Sequence, residues 1–278
     1  MPELPEVETV ARGVDQRLRD DRILRVWFSQ YPQPFKTPRA RQSKGLAGSK
    51  IQAVHRAGKH IVFELEKKSG NDSAAVNAQW IVHLGMTGRL LVTTPEGTVA
   101  PHTHARLLLG SGLELRFVDP RRFGRLEFRN IRHTGAFHAP GDEPLTIGEA
   151  EFAALFRGRR LCIKAALLNQ TLLAGVGNIY ADESLFEAGI RPRRRANRVT
   201  RAELNRLRLA LHTILTRAIQ LGGSSVSDYV DAEGEQGFFQ FEHCVYQREG
   251  KPCCRCRTPI RRVVIAGRGN HYCPICQR

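Results

Sequence analysis

The sequence predicts an α+β chain of 278 residues, in which a β-sandwich with a flanking helix gives way to a helical segment and then to a small cysteine-paired ribbon. Three observations predict it. Short apolar runs alternate with turn residues between about residues 23 and 119. Beyond residue 148 the apolar period lengthens to that of a helix, and four of the seven cysteines stand in paired spacing within the last 26 residues. The division expected is a sandwich over 1–133, a Gly/Pro-rich linker over 134–148, a helical part over 149–240 and a ribbon over 241–278. That agrees with a soft prior of about 100 to 200 residues per domain.

Taken in order, Leu4, Val7, Ala11, Val14 and Leu18 recur at helical spacing, with Pro5 near the start and Glu6 and Glu8 in the first turn, where the helix dipole favours carboxylates. The runs 51–54, 60–65, 80–84, 89–92, 106–109 and 113–118 have the length, β-branched content and glycine punctuation of strands. Ser69-Gly70-Asn71-Asp72-Ser73 reads as a loop between two of them. Helices are expected over 149–156, 161–173 and 178–188, the last two separated by Gly175-Val176-Gly177. The clearest helix starts at Thr200, which forms a capping box with Glu203. Leu204, Leu207, Leu211, Ile214, Leu215 and Ala218 line one face of it, and Gly222-Gly223 ends it. A Gly/Ser-rich stretch, 222–237, precedes the cysteines.

Lys plus Arg number 43 against 27 Asp plus Glu, a net charge of +16, so the partner should be a polyanion. A membrane surface is also anionic, but the sequence shows no apolar run of about 18 residues, no signal-peptide pattern and no lipidation motif. Nucleic acid is favoured, in a reducing compartment. Cys253-x2-Cys256 and Cys273-x2-Cys276 have the spacing of a four-thiolate zinc ribbon, in which two tight turns each present two sulfurs to one tetrahedral ion. Cys254 is an extra thiol and His271 a possible competitor for a place. Four sulfurs leave no open position, so one structural Zn2+ is expected. Arg255, Arg257, Arg261, Arg262 and Arg268 make the ribbon cationic.

The first residues, Met1-Pro2-Glu3-Leu4-Pro5-Glu6-Val7-Glu8, suggest chemistry. Trimming of Met1 would leave Pro2 with a free secondary amine, and an α-amino group with pKa near about 8 is partly neutral at pH 7 and able to attack an electrophilic carbon. Glu3 stands beside it as acid or base. The plainer reading is that Met1 stays and Pro5 merely begins an amphipathic helix; the helix and the chemistry can hold together.

Four segments then agree: Met1 to Thr9, His83-Leu84-Gly85-Met86-Thr87-Gly88, Asp119-Pro120-Arg121-Arg122-Phe123-Gly124 and Gly175-Val176-Gly177-Asn178-Ile179-Tyr180-Ala181. With the ribbon, they make the chain resemble the formamidopyrimidine-DNA glycosylase family of bacterial 8-oxoguanine repair enzymes, nearly end to end. The resemblance implies an N-terminal β-sandwich, a helix-two-turns-helix domain and a zinc finger, acting on double-stranded DNA that contains oxidised bases or abasic sites. It implies Pro2 as nucleophile at the sugar C1′, Glu3 as proton-transfer residue, Lys59 as the lysine of the lyase step, and Arg268 and Asn178 as phosphate holders beside the lesion. Met86, Arg121 and Phe123 match the trio that fills the gap left by an everted base. Eversion costs a few kcal/mol, and a flexible Met and a flat Phe are suitable wedges.

His102, rather than His104, matches the family's phosphate contact; Arg159 and Lys164 are similar candidates. Residues 222–237, with Ser224, Ser225 and Tyr229, correspond to the loop that covers the extruded base, and their composition suits a flexible lid. Glu6 is grouped with them in lesion recognition. The expectation is a bifunctional glycosylase and lyase: Schiff base at Pro2, then β- and δ-elimination, in a cytoplasmic monomer associated with the nucleoid when acting. The alternatives are an endonuclease VIII-like enzyme for oxidised pyrimidines, a non-catalytic zinc-ribbon DNA-binding protein, and an N-terminal-proline tautomerase.

Overall fold

A computed structural model describes residues 1–68, 75–226 and 228–278. The chain forms two compact units, one of residues 1–138 with 222–237, the other of residues 139–221 with 238–278. The loop expected at 69–73 lies outside the described residues.

The first unit runs α1 (Leu4–Leu18), β1 (Ile23–Phe28), α2 (Arg39–Leu46), β2 (Lys50–Ala57), β3 (His60–Lys68), β4 (Ala75–His83), β5 (Arg89–Thr93), β6 (Thr103–Leu109), β7 (Glu114–Val118), β8 (Arg125–Asn130) and α3 (Ile131–Thr134). Its strands make two antiparallel four-stranded sheets, ordered β1-β6-β7-β5 and β2-β3-β4-β8. Alternation decides which side chains are inside. Ile61, Phe63 and Leu65 of β3 and Ala78, Trp80 and Val82 of β4 meet Leu90, Leu107, Leu115 and Phe117 of the other sheet in one core. Val7, Val10, Ala11, Val14 and Leu18 of α1 join it, and each such Val or Leu is worth about 1.5–3 kcal/mol on burial. The helical spacing of the first residues is thus a packing signal.

α2 and β8 are among the elements that the expected runs leave out. α2 buries only Gln42 and Leu46, so no apolar stripe marks it. What holds it is polar: Gln42 Oε1 accepts from the indole Nε1 of Trp80 at 3.0 Å, and its Nε2 donates to Thr37 O at 2.8 Å. β8, beyond the limit expected for the strands, alternates the charged Arg125, Glu127 and Arg129 with Leu126 and Phe128, and it completes the second sheet against β4.

The second unit holds α4 (Glu149–Phe156), α5 (Ile163–Leu167), α6 (Asn178–Glu187) and α7 (Arg201–Gln220), followed by the hairpin β9 (Arg261–Ile265) and β10 (Arg268–Tyr272). α7 starts on the expected Thr200–Glu203 capping box, buries Leu204, Leu207, Leu211, Leu215 and Ala218, and ends where Gly222 and Gly223 both take positive φ. The helix expected over 161–173 is shorter. Only 163–167 is helical, because Asn169 and Gln170 divert the chain into a turn through bonds to Thr171 N and Gly175 N.

Residues 222–237 were grouped with the helical part and expected to be a flexible cover; their contacts are with the first unit. Tyr229 and Ala232 are buried in the sandwich core, Val92 N donates to Ala232 O at 2.9 Å, and Asp231 Oδ1 accepts the amides of Glu233 and Glu235.

Candidate active site

Pro2 and Glu3 are buried at the start of α1. Glu3 is the N-cap and forms a reciprocal capping box with Glu6, whose Oε2 accepts from Glu3 N at 2.8 Å. The other oxygen of Glu6 accepts from Ser224 N at 2.8 Å. One carboxylate therefore ties the N-terminal turn to the segment 222–237, and an ionised carboxylate still has lone pairs to offer. Tyr229 strengthens the junction, its hydroxyl lying 3.0 Å from Gly222 O and 3.3 Å from Glu6 O. Burial, then the nearby Glu6 charge, push its phenol well above the ordinary tyrosine range, so it stays a neutral donor. Ser225 Oγ donates to Tyr229 O at 3.0 Å and accepts from Gly237 N at 2.9 Å, which closes the segment on itself. The four residues expected to face a lesion, Glu6, Ser224, Ser225 and Tyr229, are thus brought together around the first turn of α1. With Met1 in place the Pro2 nitrogen is an amide; its removal makes that nitrogen a secondary amine.

Lys59 occupies the second position of a two-residue hairpin between β2 and β3, with Gly58 at φ +61° ahead of it. Its side chain is mostly buried. Arg56 fixes the hairpin, since its Nε reaches Glu8 Oε2 of α1 at 2.8 Å and its Nη1 reaches Gly58 O at 3.2 Å. The Arg56–Glu8 tie was not foreseen, because residues so far apart in sequence give no spacing signal.

Met86, Arg121 and Phe123 come from two loops locked together. Asp119, fully buried, accepts the Thr87 hydroxyl on Oδ1 at 2.6 Å, the Gly124 amide on Oδ2 at 2.7 Å and, more weakly, the Arg121 amide. Gly85, at φ +68°, lies so close to the 123–124 backbone that an added Cβ would sit 2.5 Å from Gly124 N. Held by that clamp, Met86 stands 37% and Phe123 47% exposed, which rules out a core role for either. The Arg121 guanidinium lies over the Phe123 ring at 4.8 Å. Asp119 was visible only as the first letter of a motif.

His102 is exposed, at φ +63°, and its carbonyl accepts from Asp119 N. His104 is buried instead, its Nδ1 3.0 Å from Ser29 Oγ and its Nε2 3.1 Å from Asp119 O. Burial holds its pKa below the ordinary histidine value.

In the second unit, Asn178 opens α6 after the turn 175–177, which Gln170 organises by accepting Gly175 N and donating to Val176 O. Asn178 Nδ2 donates to Gly269 O at 3.0 Å. Lys164 corrects an expectation. It was a candidate phosphate contact, but it is fully buried, with Nζ 2.5 Å from Asp182 Oδ1 and 3.4 Å from Gly269 O. Asp182 Oδ2 in turn accepts His271 N at 2.9 Å. Lys164 and Asp182 thus brace β10 against α6. Arg268, just past the Ala266-Gly267 turn where both residues have positive φ, is exposed at the tip so braced. Arg159 is exposed after α4, its Nε donating to Leu155 O at 2.6 Å.

The sulfurs of Cys253, Cys256, Cys273 and Cys276 lie within 4.8 Å of one another, the Cys256–Cys273 pair at 3.4 Å and the Cys253–Cys276 pair at 3.9 Å. A Zn2+ bound tetrahedrally at about 2.3 Å needs sulfurs about 3.8 Å apart, so the cage fits. Backbone amides of Arg255 and Cys276 point at the sulfurs of Cys253 and Cys273, as suits thiolates. His271 is turned to Asp182, and Cys254 is exposed outside the cluster. One structural Zn2+ on four thiolates is the assignment.

A locked pair of loops exposing Met86 and Phe123, a carboxylate-bridged N-terminal turn and an arginine-tipped metal ribbon define a zinc-ribbon protein that works on DNA. Three family models cover the chain: the formamidopyrimidine-DNA glycosylase N-terminal domain over residues 1–126, the formamidopyrimidine-DNA glycosylase H2TH domain over 140–230, and the zinc finger found in FPG and IleRS over 250–278. Formamidopyrimidine-DNA glycosylases of Solibacter usitatus and Desulfitobacterium hafniense are 45% and 40% identical to it, each over the whole of both chains. Among solved structures, a Lactococcus lactis Fpg complex with abasic-site DNA matches with a TM-score of 0.87 at 34% identity, over 99% of both chains. A complex of the same enzyme with Fapy-dG DNA matches at 0.86 and 34%, over 99% of this chain and 100% of that one. The chain belongs to the formamidopyrimidine-DNA glycosylase family.

Proposed function

We propose that the protein excises oxidised purines, 8-oxoguanine and formamidopyrimidines, from double-stranded DNA and cleaves the abasic site it creates. Support comes from full-length relatedness to glycosylases of this name and from solved relatives that hold Fapy-dG and abasic-site DNA. At the level of residues, the observation that carries the reading is the Glu6 bridge, which holds the turn beginning at Pro2 and Glu3 against Ser224.

In the reaction proposed, the Pro2 secondary amine attacks C1′ as the glycosidic bond breaks and the base leaves with a proton. The sugar ring opens to an iminium, cationic without a further proton. Loss of a C2′ proton then expels the 3′ phosphate, and a second elimination expels the 5′ phosphate. Glu3 and Lys59 serve the proton transfers. Arg268 and Asn178 hold phosphate, His102 and Arg159 contact the backbone, and Met86, Arg121 and Phe123 occupy the vacated stack. Lys164 acts through the ribbon it braces. The cytoplasm, with nucleoid association during repair, is the setting this reading implies, and a monomer its unit.

Borohydride reduction on an 8-oxoguanine duplex tests the proposal: a covalent protein–DNA adduct is expected with the native chain and none with Pro2→Gly. Trapping retained in that variant moves the nucleophile elsewhere, to Lys59 first. Faster release of thymine glycol than of 8-oxoguanine would favour the endonuclease VIII-like alternative.

A further inference from the structure

An antiparallel sheet that packs on one face shows water a polar surface on the other, yet the outer face of the β1-β6-β7-β5 sheet carries a tryptophan. Its register sets two rows of side chains across β1, β6 and β7: Arg25, Leu108 and Glu114 in one, Trp27, Arg106 and Arg116 in the other. Residues 94–98 are tied down onto this face by Arg116, whose Nη2 donates to Gly97 O at 2.9 Å and to Pro95 O at 3.3 Å, and whose Nη1 donates to Thr98 O at 2.9 Å. Trp27, Pro95 and Leu108, with Arg25, Arg106 and Glu114, then line a recess of about 310 Å³. That volume is at the lower end of ligand sites, about 300–1,000 Å³, and takes one or two side chains.

The charges of the recess do not balance. Glu114 is its one carboxylate, and two guanidiniums already hold it: Arg106 Nη2 donates to it at 2.9 Å, its Nε donates as well, and Arg116 Nε reaches it at 3.3 Å. The Arg25 side chain, in contrast, is exposed and has no hydrogen bond or ion pair among the described residues. Beside it the Trp27 side chain stands 49% exposed, although an indole gains most when it is covered. An exposed apolar patch rimmed by charge marks an interaction site, and Trp and Arg are the residues that carry most energy at such sites. Binding of DNA backbone uses many cations and no apolar floor, whereas this recess offers one uncommitted guanidinium over a mainly apolar floor.

We infer that this recess docks an acidic segment of a partner protein, in which an aromatic or branched aliphatic side chain lies next to carboxylates. The apolar side chain covers Trp27, Leu108 and Pro95, and a carboxylate pairs with Arg25, the charge complement that the recess lacks. The Arg106–Glu114–Arg116 network holds the floor and the 94–98 loop in place, so little has to be ordered on binding.

Calorimetric titration of the full chain with the end-blocked peptide Asp-Asp-Phe-Asp-Asp tests this, with Asn-Asn-Phe-Asn-Asn and Asp-Asp-Ala-Asp-Asp as controls. Tightest binding is expected for the first, weakened about tenfold by Trp27→Ala and about threefold by Arg25→Glu. Arg25 is exposed, so its variant reads the site even if Trp27→Ala fails to fold. The emission of Trp27 should also shift on binding, and Trp80, the second of the two tryptophans, is buried and stays silent. Equal affinity for the three peptides, or unchanged binding in Arg25→Glu, overturns the inference. A short undamaged duplex should bind together with the peptide; a duplex that displaces it assigns this face to DNA and overturns the inference too. Borohydride trapping by Arg25→Glu should match the native chain, so failure of the glycosylase reading and failure of this one are separable.

Discussion

The two units hold functional groups at a surface by different means. In the first, the loops of Met86 and Phe123 and the N-terminal turn sit on a large sandwich core, and two carboxylates, Asp119 and Glu6, fix the loops by accepting backbone amides. In the second, Arg268 is carried by a hairpin whose buried apolar cluster is five residues: Phe186, Val245, Cys253, Ile260 and Cys273. A cluster that small does not offset the conformational entropy of a hairpin, so a metal and a buried ion pair supply what packing lacks. The difference teaches where each half is vulnerable, the first to loss of a hydrogen-bond acceptor and the second to loss of a charge or an ion.

Metal removal should give the largest effect. Structural Zn2+ contributes of the order of 10–16 kcal/mol in ribbon-sized units. Chelation, or Cys256→Ser, should cost at least about 100-fold in DNA affinity by fluorescence anisotropy, with zinc loss by atomic absorption. The sandwich should still melt cooperatively. Full affinity in a zinc-free protein would break the contrast.

Next comes the buried pair. Lys164→Met strands Asp182 in the interior and should destabilise by about 3–5 kcal/mol, whereas Lys164→Met with Asp182→Leu should recover part of the loss. Thermal melts of the single and double variants measure the coupling. A Lys164 that contacted phosphate from the surface would instead leave the melt unchanged and flatten the salt dependence of DNA binding.

Asp119→Ala tests the first unit's device. Leaving Thr87 and Gly124 without their acceptor should cost about 1–3 kcal/mol, and base release should fall more than duplex affinity because Met86 and Phe123, the wedges proposed above, are no longer held. Equal losses in the two would mean that Asp119 only stabilises the fold.

What the sequence made legible follows the range of each signal. The α1 stripe, the α7 capping box and the four cysteines are local patterns, and each appears where its spacing placed it. The exposed trio was legible as motif letters. Its clamp was not, since Asp119 works through backbone amides of residues two to five positions away and through Thr87 on another loop. Lys164 misled because a lysine in a basic chain reads as a surface cation, and only the fold puts Asp182 within 2.5 Å of it. For residues 222–237 composition showed the glycines, which take positive φ at 222, 223 and 234, but not that Tyr229 and Ala232 would be buried in the sandwich core.

The smallest effect concerns acid stability in the second unit, where Arg194 forks onto Glu203 with contacts of 2.6 and 2.8 Å. Chiefly through that guanidinium, the Glu203 carboxyl is lowered to about 2 from an ordinary value of 4.5. A depressed carboxyl pKa means that the unfolded chain takes up the proton first as pH falls. The contribution is therefore complete above about pH 4.5 and is lost progressively toward pH 2. Glu203→Gln keeps an acceptor for the Thr200 amide and removes only the charge. The native chain should thus melt a little higher than E203Q at pH 7, with the gap closing below pH 4.5. A gap that is constant from pH 7 to pH 2.5 would assign the effect to the cap and not to the ion pair.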